Sequence, residues 1–175
     1  PILVVGGGVK YSEAGETVEK FCEEFGIPFG ETQAGKSACR SGHPYCLGGI
    51  GVTGTYASNV IGRDADVVIA VGSRLSDFTT CSKYLFQNGD VKMVTVNNSR
   101  YHAYKMDAVK AVGDAKATLE ALAGKLRAKK YVSGYTDEIV KAKEVWDKEM
   151  ERLGGIGYTG DDFEPEVKAR DPRTI

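Results

Sequence analysis

No apolar run in this chain approaches the ~18 residues that a membrane helix requires. The opening PILVVGGGVK carries neither a charged leading segment nor a cleavage site, so it does not read as a signal peptide. Charge of one sign is lacking too. The 23 Lys and Arg stand against 24 Asp and Glu, a net charge of -1, which removes the electrostatic case for nucleic acid. Paired cysteines are missing: Cys22, Cys39, Cys46 and Cys81 form no C-x-x-C pair. Cys39, His43 and Cys46 lie close together, but a fourth ligand at zinc spacing is absent, and the reading is reduced, unpaired thiols. Histidine is scarce. His43 and His102 are candidate general bases, yet neither has a serine or cysteine partner by pattern, so no hydrolytic triad can be assembled. The expectation is a cytoplasmic chain with neither nucleic acid nor membrane as partner.

What is present is an alternation of apolar runs and amphipathic stretches. At 175 residues the chain suits one domain plus an appendage. Ile2 to Val5 is an uninterrupted apolar run that ends in Gly6-Gly7-Gly8, the pattern of a buried parallel strand and a tight turn. Because the chain opens on such a core strand, it is expected to be a piece of a longer protein. Ser12 is expected to cap the next helix, with Glu13 in its first turn. Ala14, Val18, Phe21 and Phe25 form its apolar stripe, and Gly26 and Pro28 close it. Ile27 to Phe29 starts a second strand. Thr32 to Gly51 reads as one long loop, a length that is often functional. Thr53 to Arg63 reads as a helix with Ala57, Val60 and Ile61 inward. Val67–Val71, Met93–Val96 and Ala108–Val112 read as strands. Asp114 caps a helix that turns Leu119, Leu122 and Leu126 inward. Thr136 caps a last, charge-rich helix running through Leu153, with Ile139, Ala142, Trp146, Met150 and Leu153 on one side. Residues 154–175 have no clear period. Strand and helix alternate as in a doubly wound, Rossmann-like α/β fold, with about five or six parallel strands, helices on both faces, and a C-terminal helix and linker.

Gly49-Ile50-Gly51-Val52-Thr53-Gly54 matches G-x-G-x-x-G, but the dinucleotide fingerprint needs a strand directly before it, and Ser41 to Leu47 reads as polar loop. Two readings of its glycines stand: a helix N-terminus that holds a phosphate through free amides, or close packing of loop on helix. Gly35-Lys36-Ser37 resembles the end of a phosphate loop. Arg74 and Asp77 follow the strand Val67–Val71, where open α/β sheets bind ligands; they contact a nucleotide or neighbouring domain, or form a surface pair. Tyr101, His102, Tyr104 and Lys105 read as a packed helical turn.

The strand-GGG opening, Gly35-Lys36, His43-Pro44, Gly48 to Gly54, Asp64-Ala65-Asp66 before an apolar strand, Gly72-Ser73-Arg74 and Gly113-Asp114-Ala115-Lys116 together resemble the central domain of thiamine-diphosphate-dependent enzymes of the acetohydroxyacid synthase group. The resemblance covers roughly residues 1–128. The wording of PFGETQAGKSA, GGIGVTG, FTTCSKYLFQN and YHAYKMDAVK looks closer still to a hydrolytic branch of myo-inositol breakdown. The resemblance implies a parent enzyme that uses thiamine diphosphate and magnesium (Mg2+) to open the ring of a cyclic dione by C–C cleavage. Its first domain would supply a glutamate, and its third the G-D-G…N stretch that binds the metal and diphosphate. No G-D-G occurs here, so catalytic residues are expected to lie outside this chain. Residues 1–130 would be the central nucleotide-binding-like domain, and residues 131–175 a helix and linker towards a missing C-terminal domain. Central domains of such relatives sometimes hold FAD or ADP. Lys36 and Arg74 match positions facing that nucleotide or the active-site entrance, Asp77 matches an acidic position in the same turn, and with Gly51 and Gly54 they are the candidate cofactor-binding residues. Two departures bear on this: Asn97-Asn98 ends a strand where relatives often keep Asp, and Phe78 replaces a frequent basic residue. The resemblance further implies N- and C-terminal domains of the same parent chain as partners, and a homo-oligomer, dimer or tetramer. The alternative is a stand-alone module binding FAD, ADP or NAD.

Overall fold

Two strands of this chain are apolar at every position because both of their faces are covered. Along β1 (Ile2–Val5), Leu3 and Val5 enter one hydrophobic cluster while Ile2 and Val4 enter another. Along β4 (Val67–Val71), Ile69 and Val71 join the first cluster, and Val68 and Ala70 the second. A sheet covered by helices on both sides demands this pattern. The computed structural model describes residues 1–156; the expected linker lies almost entirely outside the described residues.

The sheet has six parallel strands in the order β3-β2-β1-β4-β5-β6, with β2 Phe29–Glu31, β3 Cys46–Gly49, β5 Lys92–Asn97 and β6 Val109–Val112. Between them run α1 (Gly7–Tyr11), α2 (Gly15–Phe25), α3 (Tyr56–Asp64), α4 (Asp77–Thr80), α5 (Arg100–Ala103), α6 (Ala115–Ala128) and α7 (Thr136–Gly154). The strand order reverses between β1 and β4, and in open α/β sheets the crevice at the carboxyl ends of such a pair is where ligands bind.

Helix α2 buries Val18, Phe21 and Phe25 as its spacing predicts, and Gly26 ends it in the left-handed conformation at φ 65°. Ser12, however, is not its cap. A short helix α1 intervenes, Glu13 turns the chain at φ 50°, and α2 begins at Gly15 with Ala14 in the cap position. The Ser12 hydroxyl instead accepts a hydrogen bond from the Lys116 amide at 3.0 Å, so it serves the start of α6, 104 residues away. Asp114 caps α6 as expected, its Oδ1 accepting from the Ala117 amide.

The expected loop from Thr32 to Gly51 contains β3. Its sequence, CLGG, has no apolar run. The strand exists because β2 pairs it: the Phe29 amide donates to Tyr45 O and Glu31 stands opposite Gly49. A strand therefore does precede the Gly49–Gly54 motif directly. Three smaller boundaries also move. β2 starts at Phe29 rather than Ile27; α3 starts at Tyr56, with the Thr55 hydroxyl accepting from the Ser58 amide; and Tyr135, not Thr136, precedes α7, with no side-chain cap. Helix α7 packs against α3 and sends Ile139 and Ala142 into the second cluster, while Met150 stays exposed.

Candidate functional site

At the carboxyl ends of β1 and β4 the two following turns lie directly on one another. The Gly6 amide donates to Val71 O and the Gly8 amide to Gly72 O, at 2.9 and 3.0 Å. A Cβ on Gly6 would stand 2.3 Å from Gly72 O, and one on Gly8 2.7 Å from Gly72 Cα. Only glycine permits this approach, and Gly72 also sits at φ 61°, where L side chains are strained.

Two adjoining depressions open on this seam, of about 390 Å³ and about 320 Å³, sharing Gly8, Tyr11, Gly72 and Arg74. The larger reaches Gln33, Ile50, Thr53 and Phe78; the smaller reaches Asn97, His102 and Asp114. Arg74 is the one sequence-predicted candidate that lines both. It is exposed, and among the described residues it makes no ion pair, so the Arg74–Asp77 surface pair is not formed. Asp77 opens α4 outside the lining of either depression. Lys36 is also outside, exposed on the turn after β2.

Gly51 and Gly54 approach the crevice from behind. The Gly51 amide donates to Asn59 Oδ1 and Asn59 Nδ2 donates back to Gly51 O, both at 2.9 Å. A Cβ on Gly51 would stand 2.1 Å from Phe78 O. The amides of Ile50, Val52, Gly54 and Thr55 go to Glu31 O, Phe78 O, Gly51 O and Gly49 O. These donors are committed inside the protein, whereas a phosphate cradle needs them free. The motif's non-glycine residues, Ile50 and Thr53, supply the wall of the crevice.

Asn97 explains one departure from the resemblance. It is buried at the end of β5; its Nδ2 donates to Ser73 O at 3.0 Å and its Oδ1 accepts from the Ser99 amide at 2.9 Å. A carboxylate accepts only and could not make the first bond. In the smaller depression His102 stacks edge-on to Tyr101, and its Nδ1 is buried without a partner. The carboxyl of Asp114 is held below its ordinary range, first by the Ala117 amide and then by Ser12.

His43 is not poised as a base. Its ring is buried, Nδ1 accepts from the Tyr45 amide at 3.2 Å, and Nε2 therefore carries the proton and donates to Glu23 Oε1 at 2.9 Å. Lys143 of α7 donates to Pro44 O at 3.0 Å, so α2 and α7 both fasten this loop. Among the described residues no group of three His, Cys, Asp or Glu side chains could hold a metal ion. The four cysteines are free. Burial pushes the Cys39 thiol up to about 12 and raises Cys46 and Cys22 as well. Because the thiolate is the reacting form, a disulfide reagent at neutral pH is expected to label Cys81, which is partly exposed, and to reach the other three only after denaturation. Rapid labelling of Cys39 or Cys46 in the native chain would show that this core opens.

Sequence reasoning missed Gly7, Gly8, Gln33 and Thr53. The triple glycine after the first strand was the available signal for the first two. Gln33 and Thr53 carried none, since a hydrogen bond of 3.2 Å between their side chains joins segments 20 residues apart.

A family model described as the central domain of thiamine pyrophosphate enzymes matches residues 1–122. The chain is 56% identical over 168 residues to 3D-(3,5/4)-trihydroxycyclohexane-1,2-dione hydrolase 2 of Bacillus cereus, covering 96% of this chain and 26% of that protein. It is 55% identical over 175 residues to the 3D-(3,5/4)-trihydroxycyclohexane-1,2-dione hydrolase of Clostridium botulinum, covering 100% and 27%. With the Clostridium perfringens hydrolase of that name, identity is 56% over 170 residues, covering 97% and 26%. The chain thus spans about a quarter of the length of these curated relatives.

Proposed function

Because the chain belongs to the family of thiamine pyrophosphate enzyme central domains, we propose that it is the central, non-catalytic domain of a thiamine-diphosphate-dependent hydrolase that opens the ring of trihydroxycyclohexane-1,2-dione in myo-inositol degradation. The observation that carries this reading is identity above one half over nearly the whole chain, confined to one quarter of each relative. The same confinement leaves the stand-alone nucleotide-binding module without support.

The residues present do not fit thiamine diphosphate. The acid that follows Gly113 is Asp114, and its carboxylate is spent on capping α6. Following the resemblance, we assign the cofactor and its metal to other domains of the parent, and no chemical step to this chain. Its role is to scaffold the flanking N- and C-terminal domains of a cytoplasmic enzyme that works as a dimer or tetramer. Arg74, with the exposed Phe78 at the crevice mouth, faces one of those domains; Lys36, Asp77, Gly51 and Gly54 support or border that surface. Assaying ring opening with the isolated chain supplied with thiamine diphosphate and magnesium is expected to give no turnover. Turnover by the chain alone would overturn the reading. Calorimetric titration with FAD, ADP and NAD then tests the crevice: heat of binding that is lost in Arg74→Ala would assign it to a nucleotide rather than to a neighbouring domain.

A further inference from the structure

β6 forms one margin of the sheet, and its outer side meets no strand among the described residues. In a parallel ladder, alternate residues turn both backbone groups to the same neighbour. The Gly113 amide donates to Asn97 O at 3.1 Å, whereas the Gly72 amide donates to Val96 O at 2.8 Å. Thr95 and Asn97 therefore serve β6, and Val109, Ala111 and Gly113 answer them. Lys110 and Val112 turn their N–H and C=O groups away from the sheet. The side chains along this edge are uncovered too: Val109 is 70% exposed and Val112 47%.

An open edge invites another strand, and proline, a bulge or lysine normally blunts it. β6 has no proline, and its pairing with β5, from Val94–Val109 to Asn97–Val112, runs without a shift. Lysine is present at position 110, so the register decides whether it repels. Consider two copies of β6 set antiparallel about a two-fold axis at Ala111. Lys110 then stands opposite Val112, Ala111 opposite itself and Val109 opposite Gly113. Lys110 and Val112 become the hydrogen-bonded pairs and use the outward groups of both copies, while Ala111 takes the closer, non-bonded pair that a small side chain suits. No like charges meet. The Lys110 ammonium lies over the Tyr104 ring, 4.6 Å from its centroid, and its methylene stem can cover Val112 of the second copy. An axis at Lys110 would instead set lysine against lysine, which is repelled.

We propose that β6 is a docking edge for a second copy of this chain, which joins two six-stranded sheets into one continuous sheet across a two-fold axis at Ala111. The occupant is a second copy because the strand complements itself in hydrogen-bond phase, charge and side-chain size, as an isologous contact demands. The strand has four residues, so the contact lies at the small end of interfaces, below ~1,200 Å², and the dimer is reversible. The pairing is a property of this chain and does not rest on its assignment to a thiamine-dependent parent.

The test is sedimentation velocity of the full-length chain from low micromolar to submillimolar concentration. The mass is expected to rise from 18.8 kDa towards twice that value. A monomer at every concentration would overturn the proposal. Val112→Lys sets like charges opposite each other at an exposed position and is expected to weaken association about tenfold. Adding Lys110→Glu to Val112→Lys sets opposite charges in the same places and is expected to restore it. Association that ignores the first substitution, or that the second does not restore, would overturn pairing about Ala111. Should either variant fail to fold, the wild type alone decides by hydrogen–deuterium exchange of peptides spanning 107–113. Exchange several-fold slower at high concentration than at low supports the edge contact, and equal rates overturn it.

Discussion

Replacing Gly72 by alanine is expected to destabilise this chain by about 3 kcal/mol or more, the range reserved for strain and overpacking at a special backbone position. Gly72 is at φ 61°, and a Cβ there would lie 2.6 Å from Gly8 Cα and 2.8 Å from both Gly8 C and Val9 N. Those neighbours are backbone atoms of the turn after β1, so neither turn can yield by rotating a side chain. Separating them breaks the Gly8 N to Gly72 O bond and the Gly72 N to Val96 O bond, which tie β1, β4 and β5 together at their carboxyl ends. The control is the same substitution at Gly124, inside α6, where an added Cβ meets nothing within 4 Å. There alanine is expected to stabilise by about 0.5–1 kcal/mol through helix propensity. Urea denaturation of both variants checks the pair. Equal midpoints for Gly72→Ala and the wild type would mean that the seam has slack that the geometry denies it.

Asn97→Asp is expected to cost about 2–4 kcal/mol at neutral pH, because it replaces a satisfied buried donor with a buried charge facing Ser73 O. The substitution restores the acid that the resemblance leads one to expect at the end of this strand. In this chain, however, the amide's donor half is in use, holding the Ser73–Arg74 turn against β5. The sign with pH follows: burial raises the new carboxyl's pKa, and its protonated form has an O–H to donate. The loss should therefore shrink as pH is lowered and grow as it is raised. Denaturation midpoints at acid and neutral pH read this directly. A variant as stable as the wild type at neutral pH would show that the bond to Ser73 contributes nothing.

Elements whose signal is local were legible in advance. The β1 and β4 runs, the α2 stripe from Ala14 to Phe25, the Gly26 terminus and the Asp114 cap all appear where residue spacing put them. The failures share one cause. β3 has two glycines in four residues and becomes a strand only because β2 lies beside it. Ser12 has the chemistry of a cap, and its hydroxyl does cap, but the helix it serves lies 104 residues on. The glycine motif suggested an anion site, yet its amides close on Asn59, Glu31 and Phe78, partners that no spacing rule identifies. Of the candidate site, Arg74 was legible because it follows directly on a strand's carboxyl end; Gln33 and Thr53 were not.

By itself, then, the amino-acid order determined the α/β class, the two-faced strands and the resemblance to thiamine-dependent central domains, since periodicity, punctuation and motif wording are properties of neighbours along the chain. Tertiary structure alone decided which donors and acceptors were already spent: Asn97 on Ser73, His43 on Glu23, Asp114 on its helix. It also decided that Glu31 would be buried with an oxygen unmatched. Hydrogen-bond capacity belongs to the residue, but its satisfaction depends on what the fold brings within about 3 Å.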